Sequence, residues 1–175
     1  MIDFTNIDYL KTGNEKQKRA YEVLTKYQVF SKLKSYSPVL AGTVPIGIDV
    51  DGSDLDIICE VDLESEEDFL EDLSLSKLIS NEDHIKVDYP VFNGEKCITV
   101  NFTLDEFSIE IFGQNKPAKE QNAYRHMIAE YKILQEKGED FKQKIIELKK
   151  QGIKTETAFG ILLNLKQPYK DLLKL

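Results

Sequence analysis

A chain of 175 residues, 41% hydrophobic and 31% charged, can bury one real core under a charged surface, and fits one domain or a core with a small helical annex. With 31 acidic against 23 basic residues the net charge is −8. That balance argues against a long non-specific nucleic-acid footprint, which needs concentrated positive charge, and leaves room only for a local basic patch. No apolar run approaches the ~20 residues of a membrane span. The start MIDFTNIDYL has neither a basic n-region nor an apolar h-region, so a cytoplasmic protein is expected.

Residues 1–13 read as a loosely ordered lead. Asn14 followed by Gln17 has the pattern of a capping box, and Ala20, Leu24 and Tyr27 trace helical spacing, which predicts a first helix over 14–35. Ser37-Pro38 stops it. A short strand, 39–41, then runs into Gly42-Thr43. The following stretch, 40–60, reads LAGTVPIGIDVDGSDLDIICE: a loop with Gly47 and acidic Asp49, Asp51 and Asp54, then a β-branched run over 55–61 with Asp56 inside it. Side chains two apart on a strand share a face, so Asp54 and Asp56 project to one side while Leu55, Ile57, Cys59 and Val61 project to the other. Adjacent carboxylates repel unless a cation sits between them. The pair therefore reads as a site for Mg²⁺ (or Mn²⁺), which favours hard oxygen ligands and keeps waters that a phosphate can replace.

Beyond this strand, acids at Glu66, Glu67 and Asp68 suit a helix N-terminus over 63–77, with Phe69, Leu70 and Leu73 on its apolar face, packing on the sheet side opposite the aspartates. Residues 84–90 alternate as a strand, and Asn93-Gly94 signals a hairpin before a strand over 96–104. A further strand, 107–112, ends at Gly113. Its Glu110 lies between Ile109 and Ile111, in the phase that puts it on the same face as Asp54 and Asp56 if the strands pair in simple register. From Pro117 the pattern turns helical: Ala123, Met127, Ile128, Tyr131 and Leu134 form an apolar face out to Lys137-Gly138. Helices over 139–150 and 155–165 and a last piece over 168–175 complete the chain. Cys59 and Cys97 sit in apolar strand-like runs and read as buried, reduced thiols.

An EF-hand reading of Asp49, Asp51, Ser53 and Glu60 fails. Asp54 occupies the position that needs glycine, and the flanks are strand-like. Gln121 and Arg125 lie one helical turn apart, and a guanidinium suits triphosphate or carboxylate recognition, although a surface ion pair explains Arg125 as well. His126 reads as a satisfied helix residue rather than a base. The lysines Lys142, Lys144, Lys149, Lys150 and Lys154 read as a solvated helix face.

Gly42-Thr43, three residues, Gly47, five residues and SDLDI resemble the signature of the DNA polymerase beta-type nucleotidyltransferase superfamily. That signature is a Gly-Ser or Gly-Gly turn, then Asp-x-Asp at the head of a strand, with a third carboxylate on a later strand. Thr43 departs from the usual Ser but keeps the hydroxyl. Over the whole chain, including IEIFG and QNAYRHM, the sequence is similar to a bacterial family known as a domain of unknown function within that superfamily. The resemblance implies an α+β fold: a mixed, twisted sheet of about five strands, helices on one face and the acidic cleft on the other. It divides into a core over 1–115 and a helical C-terminal segment over 116–175. It also implies transfer of a nucleoside monophosphate from an NTP to a hydroxyl acceptor, a small molecule or a protein in preference to long nucleic acid. Asp54, Asp56 and Glu110 would be the catalytic carboxylates and metal ligands. Gly42, Thr43 and Ser53 would cradle phosphate, and Gln121 and Arg125 are candidate substrate contacts. The alternative is a catalytically silent nucleotide-binding or interaction module, such as a component of a toxin–antitoxin pair.

Overall fold

The computed structural model describes residues 2–79, 84–92 and 94–175. Helix α1 (Glu15–Lys26) starts at the expected capping box: the Asn14 side chain accepts from the Gln17 amide, and Gln17 Oε1 accepts from the Asn14 amide at 2.9 Å. The same Gln17 donates to the carbonyls of Val44 and Pro45, which ties the helix start to the loop after Gly42. The single helix expected to reach residue 35 breaks at Gln28. That residue is left-handed (φ 55°), and α2 (Val29–Lys32) turns Val29 and Leu33 into the core.

Strands β1 (Val39–Ala41), β2 (Leu55–Glu60), β3 (Lys86–Asp88), β4 (Val91–Phe92), β5 (Glu95–Leu104) and β6 (Phe107–Gln114) form a mixed sheet. Its order is β1-β2-β6-β5-β3, with β4 paired to β5. The β2–β6 pair is parallel and the others are antiparallel. The intervening segment crosses between β2 and β6 by way of α3 (Glu66–Leu75) and the strands β3 to β5. Asn93, the first residue of the expected hairpin turn, lies outside the described residues; Val91 and Phe92 pair with Lys96 and Glu95 on either side of it. Strand β6 runs two residues beyond the expected end. Gly113 is there for a close approach and does not terminate the strand, since a Cβ on it would lie 2.7 Å from both Ile98 and Val61 side chains.

The C-terminal elements are α4 (Asn122–Lys137), α5 (Glu139–Lys150), α6 (Thr155–Leu163) and α7 (Pro168–Leu172). Pro117 precedes a 3-10 turn, Ala118–Glu120, so α4 begins later than expected, with Gln121 at its N-cap. Left-handed Asn164 (φ 56°) ends α6 short of residue 165.

Alternation along β2 sorts the core into two layers. Leu55, Ile57 and Cys59 pack with Val23 and Leu24 of α1, Phe69 and Leu73 of α3, and Ile109 and Ile111 of β6. On the opposite face Ile58, with Val39 and Ala41 of β1, packs under Met127, Leu134, Ile145 and Phe159 of α4, α5 and α6. Each of the buried Val, Leu, Ile, Met and Phe side chains contributes about 1.5–3 kcal/mol of transfer free energy. As expected, α3 lies opposite the aspartates. The aspartate face is not open along its length, however, because the C-terminal helices cover its far end.

Candidate active site

The β2–β6 register sets the geometry. Leu55 stands opposite Ile109, Asp56 opposite Glu110, and Ile57 opposite Ile111, so the two acids share one face and the aliphatics the other. Asp54 precedes β2 by one residue on the same side and is exposed. Asp54, Asp56 and Glu110 line one cleft of about 810 Å³, together with Gly42, Thr43 and Ser53. Burial, then the charges of Asp54 and Glu110, push the Asp56 carboxyl up to about 7; burial and Asp54 likewise raise Glu110.

Gly42 is left-handed (φ 78°), and a Cβ there would overlap Asp56 Oδ2, so the turn is shaped around the carboxylate. The Ile48 amide donates to the Thr43 carbonyl at 3.1 Å and closes the turn. Ser53 Oγ accepts from the Val50 amide at 2.9 Å, which fixes the hydroxyl oxygen and leaves its O–H free to donate into the cleft. Gly52 provides an internal control: it is also left-handed (φ 79°) but has open space where a Cβ would go. Both Gly42→Ala and Gly52→Ala are therefore expected to incur backbone strain of about 1–3 kcal/mol. Only Gly42→Ala must also displace Asp56. Urea denaturation should show the larger loss at Gly42; equal losses would dissociate the turn from the carboxylate.

Gln121 and Arg125 are not brought to this cleft. The Gln121 amide is fully buried and donates to the carbonyls of Cys59 and Lys116, which locks α4 onto β2. Arg125 is exposed and faces a different groove, beside Leu172 and Leu173.

The helical wall of the cleft carries residues that the sequence pattern did not single out as functional. His126 and Glu130 of α4, Lys149 of α5, Glu156 in the first turn of α6 and Tyr169 of α7 all line it. His126 and Glu130 are buried. Burial, then Glu156, raises the Glu130 carboxyl to about 8, and burial lowers Lys149 to about 8 against the pull of Glu130, Asp49 and Glu156. Of the expected core face, Met127, Ile128, Tyr131 and Leu134 pack against the core, but Ala123 does not, and the buried flank extends to residues the pattern left out. Residues 126, 127, 130, 133 and 134 are buried, while Ala123 is exposed. A glutamate at the centre of that buried stripe was the available signal.

A mixed sheet with Asp-x-Asp entering one strand and a glutamate opposite on its parallel neighbour defines the nucleotidyltransferase fold. Solved structures agree at the level of fold. The Cid1 poly(U) polymerase with Mg and 3′-dATP bound aligns with a TM-score of 0.52 at 16% identity, covering 78% of this chain and 42% of that one. The GLD-2/RNP-8 complex gives 0.52 at 14% identity, covering 89% and 60%. A cytoplasmic RNA terminal U-transferase gives 0.51 at 14%, covering 78% and 38%. The chain thus spans less than two thirds of the length of each of these proteins. It belongs to the family described as a domain of unknown function, DUF4269, whose model matches residues 22–175. No curated protein matches it.

Proposed function

We propose that the chain is a metal-dependent nucleotidyltransferase that moves a nucleoside monophosphate from an NTP to an acceptor hydroxyl. The observation that carries this reading is the meeting of Asp54, Asp56 and Glu110 in one cleft beside a glycine turn moulded to Asp56. The donor set fits a hard divalent ion: it is all carboxylate oxygen, and burial, reinforced by the charges of Asp54 and Glu110, raises the Asp56 carboxyl, a bias that a bound cation would reverse. Asp54, Asp56 and Glu110 would hold Mg²⁺ or Mn²⁺, and the ion supplies charge neutralisation at the reacting phosphate.

The remaining chemistry belongs to the chain. Backbone N–H groups of the Gly42-Thr43 turn, with the Thr43 and Ser53 hydroxyls, bind phosphate oxygens. Glu110 accepts a hydrogen bond from the acceptor hydroxyl and orients it toward the α-phosphorus. The acceptor O–P bond forms as the bond to the β-phosphate oxygen breaks, and pyrophosphate leaves; the acceptor proton passes to a cleft carboxylate. Nucleotides are present in related folds, with Mg and 3′-dATP or MgGTP in the Cid1 enzyme. The net charge of −8 favours a small-molecule or protein acceptor over a long nucleic acid.

An NTP with Mg²⁺ at one hundred times its Kd should stabilise the protein by about 2.7 kcal/mol, or roughly 5–10 °C in Tm for a chain of this size. The Asp54→Asn, Asp56→Asn double variant should lose that shift. A full shift in the double variant would move the nucleotide elsewhere. A parallel screen of labelled NTPs against hydroxyl acceptors reads transfer itself; binding without transfer across acceptors and metals would leave a silent module.

A further inference from the structure

We propose that His126, Glu130 and Glu156 form a second cation site on the helical wall of the cleft, built for a borderline transition-metal ion of the zinc class. One ligand atom from each residue lies within 4.8 Å of the other two. Donors about 2.0–2.2 Å from a tetrahedral ion stand roughly 3.3–3.6 Å apart, so the three side chains draw together by up to roughly 1.5 Å when the ion binds. The arrangement follows from the helices. His126 and Glu130 are i, i+4 on α4 and project from one face, the spacing by which a helix offers two ligands to one ion. Glu156 enters from the first turn of α6.

A second, independent observation points to a ligand. His126 is only 5% exposed and Glu130 only 4%, yet neither imidazole nitrogen has a hydrogen-bond partner among the described residues. A buried imidazole with both nitrogens orphaned is costly, and a bound ion satisfies one of them. Lys149 is not the missing partner: among the described residues it makes no ion pair within 4.0 Å with Glu130 or Glu156. The Tyr169 ring lies 4.3 Å from the imidazole, centroid to centroid, tilted by 39°.

The donor chemistry separates this site from the carboxylate triad. One imidazole nitrogen with two carboxylates suits Zn²⁺, whereas Mg²⁺ favours oxygen alone and sheds water reluctantly. Three protein ligands leave a coordination position open toward the cavity, the pattern of a reactive rather than a purely structural zinc site. The site stands whether or not the chain transfers nucleotides.

The test uses the full chain stripped of metal, with excess Mg²⁺ present to fill the triad. Zn²⁺ is titrated against a chromophoric chelator, and Co²⁺ is added separately for its visible spectrum. Wild type should take one Zn²⁺ and show the intense bands of low-coordinate Co²⁺, and Asp54→Asn with Asp56→Asn should keep both. His126→Gln and Glu156→Gln should each weaken Zn²⁺ binding by at least the ~10–100-fold that outer-shell changes alone cost. Glu156 is only half-buried at a helix start, so its variant decides the matter if His126→Gln fails to fold. Absence of Zn²⁺ binding by wild type, equal binding by every variant, or loss only with the two aspartates would each overturn the site.

Discussion

Asp56→Asn is expected to abolish nucleotide transfer, by about 10³-fold or more, while leaving the metal-free protein as stable as wild type or more so. Activity falls because the change removes a charged oxygen at the centre of the triad, where electrostatic stabilisation of the reacting phosphate is worth several kcal/mol. Stability is spared because that same carboxylate is held against burial and against Asp54 and Glu110. The amide keeps the shape and drops the repulsion. Transfer rate and urea midpoint measured on one preparation check both halves. An active Asp56→Asn enzyme would remove the residue from the chemistry. An inactive variant that is also unfolded would instead assign Asp56 a structural role.

The second large effect is a decline in the stability of the metal-free protein as pH rises from about 5 to 8. In the unfolded chain Asp and Glu lose their protons near 3.9 and 4.3. In the native state Asp56 holds its proton to about 7 and Glu130 to about 8. Between those limits the native state binds more protons than the unfolded one, so stability falls with rising pH, by up to about 1.4 kcal/mol per unit per group. Lys149 acts in the opposite sense and in a different window. Its native pKa of about 8 lies below the unfolded value, so it loses stability as pH falls toward 8 from above, and adds no slope below 7. Urea midpoints in EDTA from pH 5 to 8 should therefore fall, and Asp56→Asn with Glu130→Gln should flatten the profile. A flat or rising wild-type profile would refute the account.

What the sequence made legible follows from local periodicity. The alternation of a strand has a period of two residues, so the phase of Asp54, Asp56 and Glu110 could be read directly, and the parallel register then set Asp56 opposite Glu110. The capping box at Asn14 and the helix over 139–150 were equally local. The helical wall was not. Neighbouring residues on α4 lie about 100° apart around the helix, so Met127 and Ile128 could be read as the apolar face while the polar His126 and Glu130 on its buried flank were passed over. Lys149 looked like one lysine among several until α5 packed against α6 and turned it inward. Gln121 and Arg125 failed for the same reason, since their shared face depends on how α4 docks on β2. Gln28 and Gly113 show the other limit: a left-handed break and a close backbone approach are imposed by tertiary packing, with no composition signal of their own.

The parallel pairing of β2 with β6 also has a kinetic consequence. Strands that pair in parallel cannot be joined by a tight turn, and here everything from α3 through β5 must be placed before Glu110 can come to rest against Asp56. Contacts of such sequence separation form slowly, because loop closure must precede them. The acidic triad is thus expected to assemble late in folding. A chain emerging from synthesis, or returning from denaturant, passes through compact states in which the three carboxylates are still apart and a divalent ion has little to hold. On the proposed function, metal capture would then report completed folding, and the nascent chain would gain no early template from the ion.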